Sequence, residues 1–241
     1  MRVVILYLVG FFIVGLGPAV EGRAAEQKPD DPQETIHVAV GLATVYAHVF
    51  EEILRQSNVP FVMQRYDYKQ IRKNFIEGKV GMTCCSHPIW RNRPEEVKIQ
   101  HFTKPIFYAI NSYAYHKDID PSVATFSNAN LTFAAIIGWT YTDDIKTKKW
   151  KYFKSTKEAT EYVHDNENAF TVVNRQDFLR LGLDREFDVT IRGVYERKAI
   201  HIRVRDTYKH YIPRMNEVIK KMRKTLQIER IIASEIRKQP E

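Results

Sequence analysis

Between Cys84 and Arg93 the chain reads Cys-Cys-Ser-His-Pro-Ile-Trp-Arg-Asn-Arg, so thiol, imidazole, hydroxyl and guanidinium groups crowd one short stretch. Cys84-Cys85-x-His87 is a donor set that could hold copper(I) or zinc. Adjacent cysteines rarely bridge each other, because the small ring so formed distorts the peptide. In an oxidising compartment the two are therefore expected as buried thiols or as one reactive pair. The plainer alternative makes them small apolar residues at a strand end, and no metal or other cofactor is assigned. Ser86, Arg91 and Arg93 offer a different chemistry. A hydroxyl and an arginine fork together cradle an anion, the arginine gripping a carboxylate through parallel N–H bonds, and the alternative is that both arginines are solvated surface charges. Acid–base catalysis would need a cleft acid or base. His37, His87, Glu51 and Glu52 are candidates by type, but no supporting constellation accompanies them and no catalytic residue is assigned.

The elements that must position this stretch are readable on both sides of it. Tyr66-Asp67-Tyr68 leads into Ile71, Phe75 and Ile76 at helical spacing, and Gly78 ends that helix. Val80 and Met82 begin a strand, and Pro88 and Pro94 turn the chain beyond it into a loop. In open α/β sheets ligands are met beyond the carboxyl ends of strands, where this loop falls. Upstream, Ile36 to Val40 forms a first strand. Val45, Val49, Phe50, Ile53 and Leu54 line one face of a helix, and Phe61 to Met63 starts a second strand, a β-α-β opening. Downstream, Lys104 to Lys117 is β-rich and Asp118 to Asn130 is turn-rich. A strand over Leu131 to Ile137 runs into Gly138-Trp139-Thr140-Tyr141-Thr142. That sequence places free N–H groups at the start of a helix, where an anion is favoured, with Thr140 or Thr142 as simple caps the alternative. Trp150 to Phe153 is a strand, Ser155 caps a helix through Ala159 and Val163, and Asn168 to Asn174 is a buried strand. Val189 to Val194 and Ala199 to Val204 form two strands. Pro213 opens a helix carrying Met215, Val218, Ile219, Met222 and Leu226, and Gln227 to Ile236 forms the last one.

With 241 residues, 44% of them hydrophobic, the chain can bury one bilobed core or two small ones. The formal charge of +8 is spread without a Lys/Arg block, zinc-finger spacing or RNA-binding aromatic signature, so nucleic acid is not an expected partner. Residues 1–24 have the form of a signal peptide: Arg2, an apolar run from Val3 to Leu16, and small residues at Gly22 and Ala24. An uncleaved anchor helix is the alternative, and no cysteine ends the apolar run to take a lipid.

The order Asp-Tyr, helix, Gly-Lys-Val-Gly-Met, polar strand end, Arg, Arg-Pro-Glu-Glu-Val, Phe-Thr-Lys-Pro-Ile-Phe resembles the extracytoplasmic solute-binding proteins of ABC importers, the polar amino-acid type. The resemblance covers about Ile36 to Ile236. It implies an α/β, two-lobed, type II periplasmic-binding-protein-like fold, each lobe a mostly parallel sheet flanked by helices, with two crossover strands. Residues 36–113 plus 199–241 would form one lobe and 114–198 the other. Ser86 and Arg91 stand at the family's spacing for the carboxylate clamp, and Arg93, followed by Pro-Glu-Glu-Val, competes with Arg91. The Gly-x-Thr loop with Thr140 and Tyr141 would supply the second lobe's grip. Tyr46, with Thr44, stands for the family's ligand-stacking aromatic, and Trp90 or Trp139 would add to the aromatic walls. Where members that bind amino acids carry an aspartate at a strand end, this chain has Asn174, with Asp177 further on. Burying an ammonium without a carboxylate costs several kcal/mol, so an ordinary α-amino acid is not the expected ligand, and Asn174 would hydrogen-bond a neutral or carboxylate group. The function implied is periplasmic binding of a small carboxylate-bearing solute by a monomer that delivers it to an inner-membrane ABC permease. The alternatives are an accessory or sensor protein of a periplasmic redox system and an enzyme on the same fold, as in dehydratase-like relatives.

Overall fold

In a computed structural model of the chain, residues 35–238 are described, apart from 43, 121, 123, 125–127, 142–144 and 146–148. The signal peptide read over residues 1–24 and the candidate cap Thr142 lie outside the described residues. The first half runs β1 (Ile36–Gly41), α1 (Ala47–Gln56), β2 (Phe61–Tyr66), α2 (Tyr68–Ile76), β3 (Met82–Ser86), α3 (Pro94–Val97), β4 (Gln100–Phe102) and β5 (Phe107–His116). The second half runs β6 (Thr132–Ile136), β7 (Lys149–Phe153), α4 (Thr156–His164), β8 (Ala169–Asn174), α5 (Arg175–Arg180), α6 (Leu183–Glu186), β9 (Val189–Arg205), α7 (Ile212–Lys224) and α8 (Gln227–Arg237).

Helix starts are set by their capping residues. The side chains of Asp67, Ser155 and Asn174 accept the backbone N–H of Gln70, Glu158 and Asp177 at 2.7, 3.2 and 3.1 Å, each satisfying a donor that a helix start would otherwise leave free. β1 pairs in parallel with β2 and β3, and β6 in parallel with β7 and β8. Antiparallel β5 and β9 join the two groups, giving the order β2-β1-β3-β9-β5-β8-β6-β7 with β4 also on β9. The two strands expected over 189–194 and 199–204 are thus one strand of 17 residues. Its irregularity explains the double reading: between the pairs Asn111–Glu196 and Tyr113–Arg192, one β5 residue faces three on β9. Gly193, at φ 70°, makes that bulge.

The cores sit on both sides of these crossings. α1 buries Val49, Phe50, Ile53 and Leu54 against Val38, Val40 and the α7 residues Met215, Ile219 and Met222. Alternate residues of β6 feed two further clusters, Ala134 and Ile136 packing with Val163, Val173 and Phe178, Phe133 and Ala135 with Tyr115 and Phe170. Such alternation is what a strand covered on both faces requires. Among the described residues no helix is long and apolar enough to cross a membrane.

One buried ion cluster ties α2, α3 and β9 together. Glu96 is fully buried; Arg72 grips both its oxygens, Nε on Oε1 at 3.1 Å and Nη2 on Oε2, and Arg203 Nη2 shares Oε1 at 3.0 Å. The Arg203 guanidinium also lies 3.7 Å from the Phe75 ring centroid. Breaking a buried pair from one side strands the other charge, which costs about 3–5 kcal/mol. Glu96→Ala is therefore expected to lower unfolding stability in urea by that order. Glu77→Ala, which removes exposed pairs with Lys73 and Lys79, should leave the urea midpoint nearly unchanged.

Candidate functional site

The carboxyl ends of the parallel strands meet at one cavity, which encloses about 840 Å³ of space with its open mouth included. Gly41, Thr44 and Tyr46 line it beyond β1, Ser86, Trp90 and Arg91 at and beyond the end of β3, Gly138 to Thr140 beyond β6, and Asn174 and Asp177 at and after the end of β8. Tyr68 from α2 and Asn111, Tyr195 and Glu196 from the crossing strands complete the polar wall.

Of the residues expected in a site, Tyr46, Ser86, Trp90, Arg91, Thr140 and Asn174 line this cavity. Arg93 and Tyr141 fall elsewhere. Arg93 is exposed at the start of α3. Tyr141 packs edge-on against Phe133 and Trp150 and accepts the Ile136 N–H at 2.7 Å, and burial raises its phenol. The helix expected to begin after Gly138 is not found among the described residues, where Gly138 to Tyr141 lead towards β7 through a turn and irregular chain. Thr140 Oγ1 instead donates to the Trp90 carbonyl at 3.4 Å.

Cys84 and Cys85 form a disulfide with each other, where buried thiols or one reactive pair were expected. The peptide between them is cis. Both sulfurs are occupied, and no group of three or more His, Cys, Asp or Glu assembles as a metal site among the described residues. The disulfide is part of the cavity wall.

The cavity is electrically divided. Arg91 lies in the single turn at Pro88–Arg91, and its Nη1 donates to the Trp90 carbonyl at 3.0 Å. Among the described residues it has no carboxylate partner, since the nearby Glu96 is engaged by Arg72 and Arg203. Burial, and after it the charge of Arg72, lowers the Arg91 guanidinium to about 10. The opposite sign comes from Asp177 in the first turn of α5, which is 6% exposed and accepts the Val45 N–H at 2.8 Å. Burial pushes its carboxyl up to about 7, against the Val45 and Arg180 contributions. A carboxylate thus lines the same cavity one turn beyond the strand end at Asn174. The sequence carries a clue to this: Asn174 caps a helix, and the residue three positions later sits in its first turn.

A hydrogen-bonded row crosses the strands from this corner. The Tyr46 hydroxyl lies 3.1 Å from Asn174 Oδ1 and 3.2 Å from Gln176 Oε1, Asn174 Nδ2 donates to Asn111 Oδ1 at 3.3 Å, and Asn111 Nδ2 donates to Glu196 Oε1 at 2.9 Å. Burial, and next the Asp177 charge, raises the Tyr46 phenol well above its ordinary value, so it stays a neutral donor. On the other rim Tyr68 meets Trp139 edge-on at 5.8 Å, and the Trp139 Nε1 has no hydrogen-bond partner among the described residues.

No family model and no curated protein sequence matches the chain. Solved structures do match in shape. An ancestral arginine-binding protein bound to arginine superposes with a TM-score of 0.67 at 17% identity over 83% of this chain and 97% of that one. An amino acid ABC transporter substrate-binding protein from Streptococcus pneumoniae bound to L-arginine gives 0.68 at 10% identity over 84% and 94%. A histidine kinase sensor domain with similarity to periplasmic binding proteins gives 0.68 at 14% identity over 87% and 99%. The chain therefore has the two-lobed α/β fold of amino-acid-type periplasmic solute-binding proteins.

Proposed function

We propose that the cleft binds a small solute carrying both a carboxylate and an ammonium group, and that the protein delivers it in the periplasm to an ABC importer of the inner membrane. The observation that carries this reading is the pair of opposite charges on one cavity, Arg91 without a carboxylate of its own and Asp177 buried and within reach of solute. Arg91 takes the carboxylate as a bidentate fork, with Ser86 and the chain at Thr140 as further donors, and Tyr46, Trp90 and Trp139 form apolar walls. Asp177 takes the ammonium, which restores the α-amino acid as a ligand class that Asn174 alone argued against. Residues 36–113 with 199–241 and residues 114–198 act as the two lobes, closing about β5 and β9, and residues 1–24 direct a monomer to the periplasm and are removed. A sensor role uses the same closure, and the likeness in fold to a kinase sensor domain favours it as the second reading.

Two outcomes test the site on an L-α-amino acid found by thermal-shift screening. Arg91→Ala should weaken binding by calorimetry about tenfold or more, whereas Arg93→Ala should leave it within about threefold; equal losses would take Arg91 out of the clamp. The second outcome is a pH dependence. The folded Asp177 value of about 7 lies above its ordinary 3.8, so this group costs the empty protein stability increasingly as pH rises from about 4 to about 7. An ammonium needs the ionised form. Affinity should therefore climb between pH 5 and about 7 and level off above it, and Asp177→Asn should both flatten the profile and weaken binding.

A further inference from the structure

Glu196 is an acid that pairing a carboxylate with Arg91 and an ammonium with Asp177 leaves unused. Its side chain is 9% exposed and borders the cavity. Oε1 is held by Asn111 Nδ2 at 2.9 Å, whereas Oε2 is buried and has no hydrogen-bond partner among the described residues. Lys198 Nζ lies 4.0 Å from Oε2, beyond hydrogen-bond reach, and the Lys198 side chain is 30% exposed. Burial raises the Glu196 carboxyl, and against it work the Asn111 hydrogen bond, then the Lys198 charge, then the Trp90 indole. A buried carboxylate with one oxygen unmet is costly unless something fills the place.

The fold directs that oxygen to the cavity. Successive residues of a strand point to opposite faces, yet Tyr195 and Glu196 both line the cavity, because Tyr195 lies within the bulge of residues 193–195 and Glu196 is the residue at which regular pairing with Asn111 resumes. Tyr195 and Trp90 add aromatic rings to the same wall. The charged side chains lining the cavity are Arg91, Asp177 and Glu196, one cation against two carboxylates. A zwitterion with one ammonium matches the first two and leaves Glu196 over.

We propose that Glu196 is a second cation subsite, and that the solute carries, besides its carboxylate and ammonium, a further cationic group such as an ammonium or guanidinium tail. The proposal rests on the reading of the cleft as a zwitterion site. The incoming cation makes a hydrogen-bonded ion pair with Oε2 and displaces Lys198 towards solvent.

L-arginine and L-citrulline test it, since they share size and shape and differ in the charge of the tail. Calorimetric titration of the chain lacking residues 1–24 should give arginine about tenfold or more tighter than citrulline. Glu196→Gln, which keeps the Asn111 bond, should abolish that preference and leave citrulline within about threefold of its wild-type affinity. Lys198→Met, on a partly exposed side chain, should widen the preference by removing the competing cation. Equal binding of the two solutes, or a preference that survives Glu196→Gln, overturns the subsite while citrulline binding keeps the zwitterion reading. Binding of neither solute overturns both.

Discussion

Arg91 carries a charge into the cleft that no carboxylate of the described residues neutralises, because both oxygens of Glu96 are taken by Arg72 and Arg203. Burial strips it of water and the neighbouring cations repel it, which is why its guanidinium falls to about 10. A group held in this state gains from any anion that reaches it, and gains most from a planar carboxylate that satisfies two N–H bonds at once. The buried cluster around Glu96 ties α2, α3 and β9 together. The ion pairs thus hold the scaffold and keep the cation facing the cleft free to bind.

The carboxylates of the cavity obey the same logic with the sign reversed. Asp177 and Glu196 are carboxylates whose burial works against ionisation, and a cationic group delivered by a solute offsets that cost for each. Hydrogen bonds also span the cavity. Val45 N–H donates to Asp177 and the Tyr46 hydroxyl reaches Asn174, so the chain entering α1 touches the start of α5. On the far rim Gly138, at φ 91°, comes so close to α2 that a Cβ there would lie 2.8 Å from the Lys69 backbone nitrogen. Only glycine accepts both that backbone angle and that approach. A solute between Arg91 and Asp177 adds its own bonds to this set, and lobe closure is the proposed signal to a partner.

Much of the scaffold is legible in the sequence because local chemistry and tertiary need agree. Asp67 and Ser155 cap the helices their spacing announces, and Val49, Phe50, Ile53 and Leu54 bury the stripe they draw in sequence. The site is legible where it lies at or just beyond a strand end, as at Ser86, Trp90, Arg91 and Asn174. It is hidden where geometry departs from the regular element. The bulge in β9 conceals Glu196 in the gap between two apparent strands, and the disulfide joins adjacent cysteines, which rarely bridge each other. Asp177 escapes for a related reason: the carboxylate stands in a helix turn rather than at the strand end, a displacement that spacing within the strand does not reveal.

Whether the cleft requires a carboxylate and an ammonium on the same solute is decided by calorimetric titration of the chain lacking residues 1–24. The three titrants are an L-α-amino acid, the amine it yields on decarboxylation, and the acid it yields on loss of the amino group. The amino acid should bind at least about a hundredfold more tightly than either truncated compound, because each loses one buried charge pair. Equal binding of the amino acid and its deaminated acid would contradict this, leaving Arg91 as an anion site and removing Asp177 from recognition.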